Sequence, residues 1–214
     1  MSAVKPLKFV VITPLAQASY PNLITPREDG NGKLKYSMSF VFPQGTDLSD
    51  MKQKALAVLK SVYGENTAEL IKAGKLHWPF RDAAIDVKEK GYPEGSTFIS
   101  ASSIRQPQVV NTVPDLQADP SGKTPTIVDP SVIYPGAWVK GSLDIYHFLA
   151  EGGKKKGVTF GLRNVQFVRD GERLDGVVSA QAEFEADPNM VAGLDGLVDE
   201  SMVADADDLS DLGL

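Results

Sequence analysis

Apolar and polar residues alternate over residues 33–42, where Leu34, Tyr36, Met38, Phe40 and Phe42 interleave with Lys33, Lys35, Ser37, Ser39 and Val41. A period of two predicts a half-buried strand with an apolar face toward a core and a basic, hydroxyl-bearing face away from it. Residues 7–13 predict an earlier strand stopped by Pro14, and the turn-forming run at 26–32 precedes the alternating segment. The period then changes. Leu48, Met51, Ala55, Leu59 and Val62 lie along one helical stripe, Thr46 or Asp47 can cap it, and Gly64 stands past its end. A shorter helical segment is predicted over 67–73, with Asn66 before it and Gly74 after it.

A strand is predicted over 96–103, while the proline-rich stretch 104–136 predicts strand remnants around a long exposed loop. The best strand signal is 137–149. There Ala137, Val139, Leu143, Ile145 and Leu149 share a face suited to a core, and Trp138, Lys140, Ser142, Asp144, Tyr146 and Phe148 share the other. A lysine-bearing turn at 152–157 leads into a last strand whose apolar phase shifts from Val158, Phe160 and Leu162 to Val165 and Phe167. That shift predicts a bulge near Arg163 or Asn164. Bent strands with one inserted helical region predict a mainly β chain closed into a small barrel.

Charge divides the chain more sharply than hydropathy does. The formal charge of the 214 residues is −6, with 22 Lys and Arg against 28 Asp and Glu. All 22 basic residues lie at or before Arg173, and eleven of the acids lie beyond it, so residues 1–173 carry +5 and residues 174–214 carry −11. Beyond residue 174, Gly, Ala and Asp dominate and the apolar residues are too scattered to bury a core, which predicts a flexible, disordered acidic tail. The expected organisation is a folded domain at 1–173 and a tail at 174–214. A basic body joined to an acidic tail is a layout for binding polyanions.

Composition narrows the chemistry. The chain has no Cys and two His, His77 and His147, which excludes disulfides, thiolate metal sites and a multi-histidine zinc site. No cofactor is expected. The apolar run near the N-terminus is too short for a signal peptide and no stretch is long enough to span a bilayer, so a cytoplasmic protein without membrane contact is expected. The Ser-Gly-Lys-Thr at 121–124 lacks the upstream glycine of a phosphate-binding loop, and Pro120 and Pro125 deny it a helix. Asp82, Asp86 and Lys88 loosely imitate a metal-dependent nuclease, at a spacing too tight for two separate strands.

The stronger constellation is aromatic and basic. Bases of single-stranded nucleic acid stack on exposed rings while cations follow the phosphates, and Trp138, Tyr146 and Phe148 share a strand face with Lys140. A covering layer, such as the long loop or a partner subunit, is the alternative occupant of that face. Lys33, Lys35, Arg81 and Arg163 are further candidate phosphate contacts, and Lys154, Lys155 and Lys156 form either a solvated hairpin tip or a phosphate clamp. Trp78, before Pro79, either joins the binding surface or fills the mouth of the barrel.

These segments together resemble bacteriophage single-stranded DNA-binding replication proteins. The resemblance rests on Trp-Pro-Phe-Arg-Asp at 78–82 with the strand after it, residues 127–130 and 133–148, residues 157–174, and the acidic end at 202–214. It implies an OB-fold-like five-stranded barrel that coats unwound template strands in phage replication, recombination or repair, in the cytoplasm of an infected bacterial host. It also implies an acidic tail that recruits replication proteins such as a polymerase or helicase, here through Asp205, Asp207, Asp208, Asp211, Leu212 and Leu214. Several related tails end in an aromatic residue, whereas this chain ends in Asp-Leu-Gly-Leu. A metal-dependent nuclease, a structural phage protein and an RNA-binding module are the alternatives, and both a monomer and a homo-oligomer fit the sequence.

Overall fold

The computed structural model describes residues 6–83, 92–114, 116–117, 121–150, 153 and 155–174. The acidic segment, Asp86, Lys88 and Lys154 lie outside the described residues. The strands are β1 (Lys8–Ile12), β2 (Ala16–Glu28), β3 (Leu34–Phe42), β4 (Arg81–Asp82), β5 (Thr97–Ser103), β6 (Gln108–Pro114), β7 (Pro125–Val128), β8 (Trp138–Leu149) and β9 (Lys156–Arg169). Two helices, α1 (Ser49–Tyr63) and α2 (Thr67–Lys72), lie between β3 and β4.

Five strands close a ring in the order β2–β3–β5–β9–β8 and back to β2. Within the ring β5 and β9 run parallel and the other neighbours antiparallel. This is the OB-type barrel, with its helices inserted between the second and third ring strands. It is not a regular barrel, because β2 shifts register twice against β3 and β9 twice against β8. β1 extends the β2 side of β8, and the β6–β7 hairpin attaches outside the ring to β9.

Alternation builds the core as expected at the centre of each strand. Met38, Phe40, Phe42, Ile99, Val139, Leu143, Ile145, Phe160 and Leu162 point inward and are buried. α1 packs Met51, Ala55, Val58 and Leu59 against the barrel. The Asp47 carboxylate accepts the Ser49 N–H at 2.9 Å, and Gly64 ends the helix at φ 66°. At that end the Tyr63 hydroxyl and His147 Nε2 are 2.9 Å apart, tying the helix to β8. Burial raises the Tyr63 pKa, and burial followed by the nearby Lys156 charge lowers that of His147.

The structure departs from the sequence reading at strand ends and in one segment. Leu34 and Leu149, both assigned to apolar faces, are 61% and 63% exposed because their strands run past the core. Val62 is exposed as well, and Val58 takes its place in the buried helical stripe. Val41, assigned to the basic face, is buried. β2 has no counterpart in the alternation pattern, since it contains Pro21 and Pro26, shifts register twice against β3, and carries Tyr20 at φ 45°. The strand remnants expected within 104–136 are the paired strands β6 and β7.

The expected bulge is present. Ser142 pairs with Asn164 and Leu143 with Leu162, so Arg163 is the extra residue.

Candidate nucleic-acid interface

Residues directly opposite one another on neighbouring strands project to the same side of a sheet, so register maps the barrel's outer face. One row runs Lys8–Tyr146–Thr159 across β1, β8 and β9. The next runs Val10–Asp144–Gly161–Ser102–Ser37 across β1, β8, β9, β5 and β3. A third joins Ser19, Ser39 and Ser100 across β2, β3 and β5, with Ser19 and Ser39 themselves buried. Small and hydroxyl-bearing side chains thus form a floor that crosses the strands.

The floor is organised by hydrogen bonds. Ser39 Oγ and Ser100 Oγ are 2.9 Å apart, Arg81 donates to Ser100 Oγ at 3.1 Å, and the Tyr92 hydroxyl donates to Ser19 Oγ at 2.9 Å. Ser37, His77, Pro79, Arg81, Ser100, Ser102 and Thr159 line a cleft of about 350 Å³. The Arg81 guanidinium lies 4.1 Å from the centroid of the Phe98 ring, and the Tyr92 and Phe98 rings meet edge to face at 5.2 Å.

Aromatic and basic groups border this cleft. The half-exposed Tyr146 ring leans across β9, so that a Cβ on Gly161 would lie only 3.1 Å from Tyr146 Cε1. Phe148 pairs with Gly157 and meets the His77 ring at 5.7 Å. Gly157 is required there, because a Cβ would stand 2.4 Å from the His77 carbonyl oxygen. His77 bonds on both sides of that contact, its N–H donating to Lys156 and its carbonyl accepting from Val158. Lys155 is exposed, and Lys156 is half-exposed with its ammonium 5.5 Å from the Tyr63 ring. Arg163 on the bulge and Lys8 on β1 both reach Asp144, each at 3.3 Å.

The remaining candidates lie elsewhere on the surface. Trp138 is eight residues along β8 from Tyr146, about 26 Å at strand rise. Its ring is capped by the Arg169 guanidinium at 4.6 Å. Lys140 pairs with Gln166 on the same stretch of β8. Lys35 forms an ion pair with Asp29 at 2.7 Å, and Lys33 is exposed at the same hairpin tip. The bond from Lys35, then the Lys33 and Asn31 N–H groups, lowers the Asp29 pKa to about 2. Trp78 is half-buried, its ring tilted against that of Phe80 with centroids 5.2 Å apart, and it faces a cleft lined by Lys52, Leu56, Ile71 and Lys72.

Sequence reasoning missed several residues of this face. Lys8 was invisible because its partner strand lies far along the chain, and Ser37, Ser100, Ser102 and Thr159 carry no distinctive motif. Their signal is the recurrence of Ser, Thr or Gly at alternate positions, Ser37 and Ser39, Ser100 and Ser102, and Thr159 and Gly161. Asp82 is exposed at the edge of the sheet, and no group of three or more His, Asp or Glu poised to hold a metal occurs among the described residues.

The ring is of the OB type, and its outer face combines rings, cations and a hydroxyl-lined floor. Residues 9–192 match the model of the single-stranded DNA-binding protein family of Enterobacter phage Enc34, and the chain belongs to that family. A putative protein p50 of Acyrthosiphon pisum secondary endosymbiont phage 1 is 28% identical over 173 residues, covering 78% of this chain and 88% of that protein. A C-terminally truncated single-stranded DNA-binding protein from bacteriophage Enc34 superimposes with a TM-score of 0.53 at 22% identity, covering 77% of this chain and 87% of that one. The single-stranded DNA-binding protein gp2.5 of bacteriophage T7 gives a TM-score of 0.52 at 15% identity, covering 86% and 97%. These two likenesses establish the shared fold.

Proposed function

We propose that this protein binds single-stranded DNA without sequence preference and catalyses no reaction. Membership of the Enc34 single-stranded DNA-binding family supports the ligand. The observation that carries the site is the Ser- and Thr-lined cleft bordered by Tyr146, Phe148, Arg81 and the β8–β9 turn. Bases stack on Tyr146 and Phe148, while phosphates meet Arg81, Lys155, Lys156, Arg163 and Lys8. Trp138 and Lys140 extend the path along β8, and Lys33 and Lys35 extend it along β3. Trp78 and Lys154 complete the set of candidate contacts.

The protein acts in phage DNA replication, recombination or repair in an infected bacterial cell. The acidic segment lowers affinity for DNA through its −11 charge and recruits replication proteins through Asp205, Asp207, Asp208, Asp211, Leu212 and Leu214. Removal of residues 174–214 is therefore expected to tighten DNA binding, most at low salt.

The test is quenching of the two tryptophans by single-stranded DNA, duplex DNA and RNA of equal length, repeated across salt. Single-stranded DNA is expected to bind with log affinity falling against log salt by about 0.7 per neutralised phosphate. Absence of binding to single-stranded DNA, by quench and by gel shift, would overturn the reading. Equal competition by RNA would replace DNA with nucleic acid in general.

A further inference from the structure

Asp144 places a negative charge on a surface that the DNA reading requires to be positive. Its row position is between Val10 on β1 and Gly161 on β9, on the outer face beside Tyr146. Oδ2 lies 3.3 Å from Lys8 Nζ, and Oδ1 accepts from Arg163 Nη1 at 3.3 Å. The carboxylate is sheltered at 18% exposure, while the Lys8 and Arg163 side chains above it are 57% and 47% exposed. Gly161 leaves room for this arrangement, since a Cβ there would stand 3.3 Å from Asp144 Cβ and 3.7 Å from Oδ2.

Two cations from different strands thus converge on one anionic group, and one of them owes its position to the β9 bulge. In charge and in hydrogen-bond geometry, the carboxylate occupies the place that a backbone phosphate oxygen would take between them. We propose that Asp144 is an internal phosphate mimic: it holds Lys8 and Arg163 in the free protein, and DNA phosphates must displace it. Asp144 thereby limits affinity and flattens the salt dependence, which favours release of the strand. The inference rests on the reading that the Tyr146 face takes single-stranded DNA.

Exposed ion pairs are weak and screened by salt, so phosphates can compete for both cations. An Asp144→Asn substitution keeps the side-chain shape and raises the local charge by one. If one further phosphate is then neutralised, the salt slope steepens by about 0.7. Relative to wild type, the variant's advantage should shrink about fivefold between about 50 mM and about 500 mM salt.

The experiment measures binding of a fluorescein-labelled thymidine oligonucleotide to the full chain across that salt range. Its arms are wild type, Asp144→Asn, Arg163→Gln, Lys8→Gln and, as a charge control on α1, Asp50→Asn, with thermal melts showing that each is folded. Tighter binding and a steeper slope for Asp144→Asn, with Asp50→Asn unchanged, is the expected result. Equal or weaker binding by Asp144→Asn, while Arg163→Gln or Lys8→Gln weakens it, would overturn the proposal and leave the DNA face standing. A matching gain from Asp50→Asn would also overturn it, since net charge alone would explain the effect. If none of the β1, β8 and β9 variants alters binding, the proposal and the Tyr146-face reading fall together.

Discussion

The two ends of β8 carry aromatic rings on the same outer face, yet their surroundings differ. At one end Tyr146 lies beside Lys8 and Thr159, rests over Gly161, and borders a cleft floored with serine hydroxyls. At the other, Trp138 lies beneath the Arg169 guanidinium, and a Cβ on Gly171 would stand only 2.9 Å from its ring. A ring with one face already taken by a cation offers less to a base than a ring bordering an open cleft. Residue type selects both ends as candidates, and only the neighbouring strands separate them.

The largest effect expected from this contrast is at the open end. Tyr146→Ala and Phe148→Ala should each weaken single-stranded DNA binding by about 1–3 kcal/mol, the usual value of a base–ring stack. Trp138→Phe, which keeps a ring under Arg169, should change affinity far less, and equal losses at both ends would erase the distinction. Titration of each variant with the same labelled oligonucleotide makes the comparison directly.

A smaller loss is expected from Gly161→Ala. The added methyl would crowd Tyr146 at 3.1 Å, and the ring must shift by a few tenths of an ångström to accept it. Severalfold weaker binding with an unchanged melting temperature would show that the ring's position matters. Unchanged affinity would show that Tyr146 binds, if at all, in another pose.

The smallest effect concerns the β2–β3 hairpin tip. Asp29 has its pKa lowered to about 2 in the folded chain, chiefly by the Lys35 bond. A depressed carboxylate pKa contributes stability that is present above the unfolded value near 4 and is lost as pH falls through about 2. Carbon-detected NMR titration of the Asp29 carboxylate should give a midpoint well below that of an unperturbed aspartate. The Lys35→Ala variant should raise it, with the Lys33 and Asn31 N–H groups still holding it below the usual carboxylate value.

Much of the fold was legible because local chemistry and tertiary environment agree in β3, α1, α2, β5, β8 and β9. Even the bulge at Arg163 followed from a phase change in the apolar residues. β2 was not legible, since Pro21, Pro26 and the left-handed Tyr20 break the alternation that marks a strand. Leu34 and Leu149 misled for a related reason: alternation continues past the point where the barrel has a core to fill.

The candidate site was legible in its residue types and only partly in how the strands bring them together. Tyr146, Phe148, Arg81, Lys155, Lys156 and Arg163 were identifiable from ring and charge pattern, whereas Lys8 and the serine floor required the pairing of β1 with β8 and of β3 with β5 and β9. Register between distant strands is a long-range property, and no local spacing encodes it.

On the proposed reading, single-stranded DNA crosses the outer face at the Tyr146 end of β8. Photocrosslinking of an iodouracil-bearing single-stranded oligonucleotide to the full chain, with the modified residues located by mass spectrometry, tests it most directly. Crosslinks are expected at Tyr146 and Phe148, suppressed by excess unlabelled single-stranded DNA. Crosslinks confined to Trp78 or to Trp138 would contradict it.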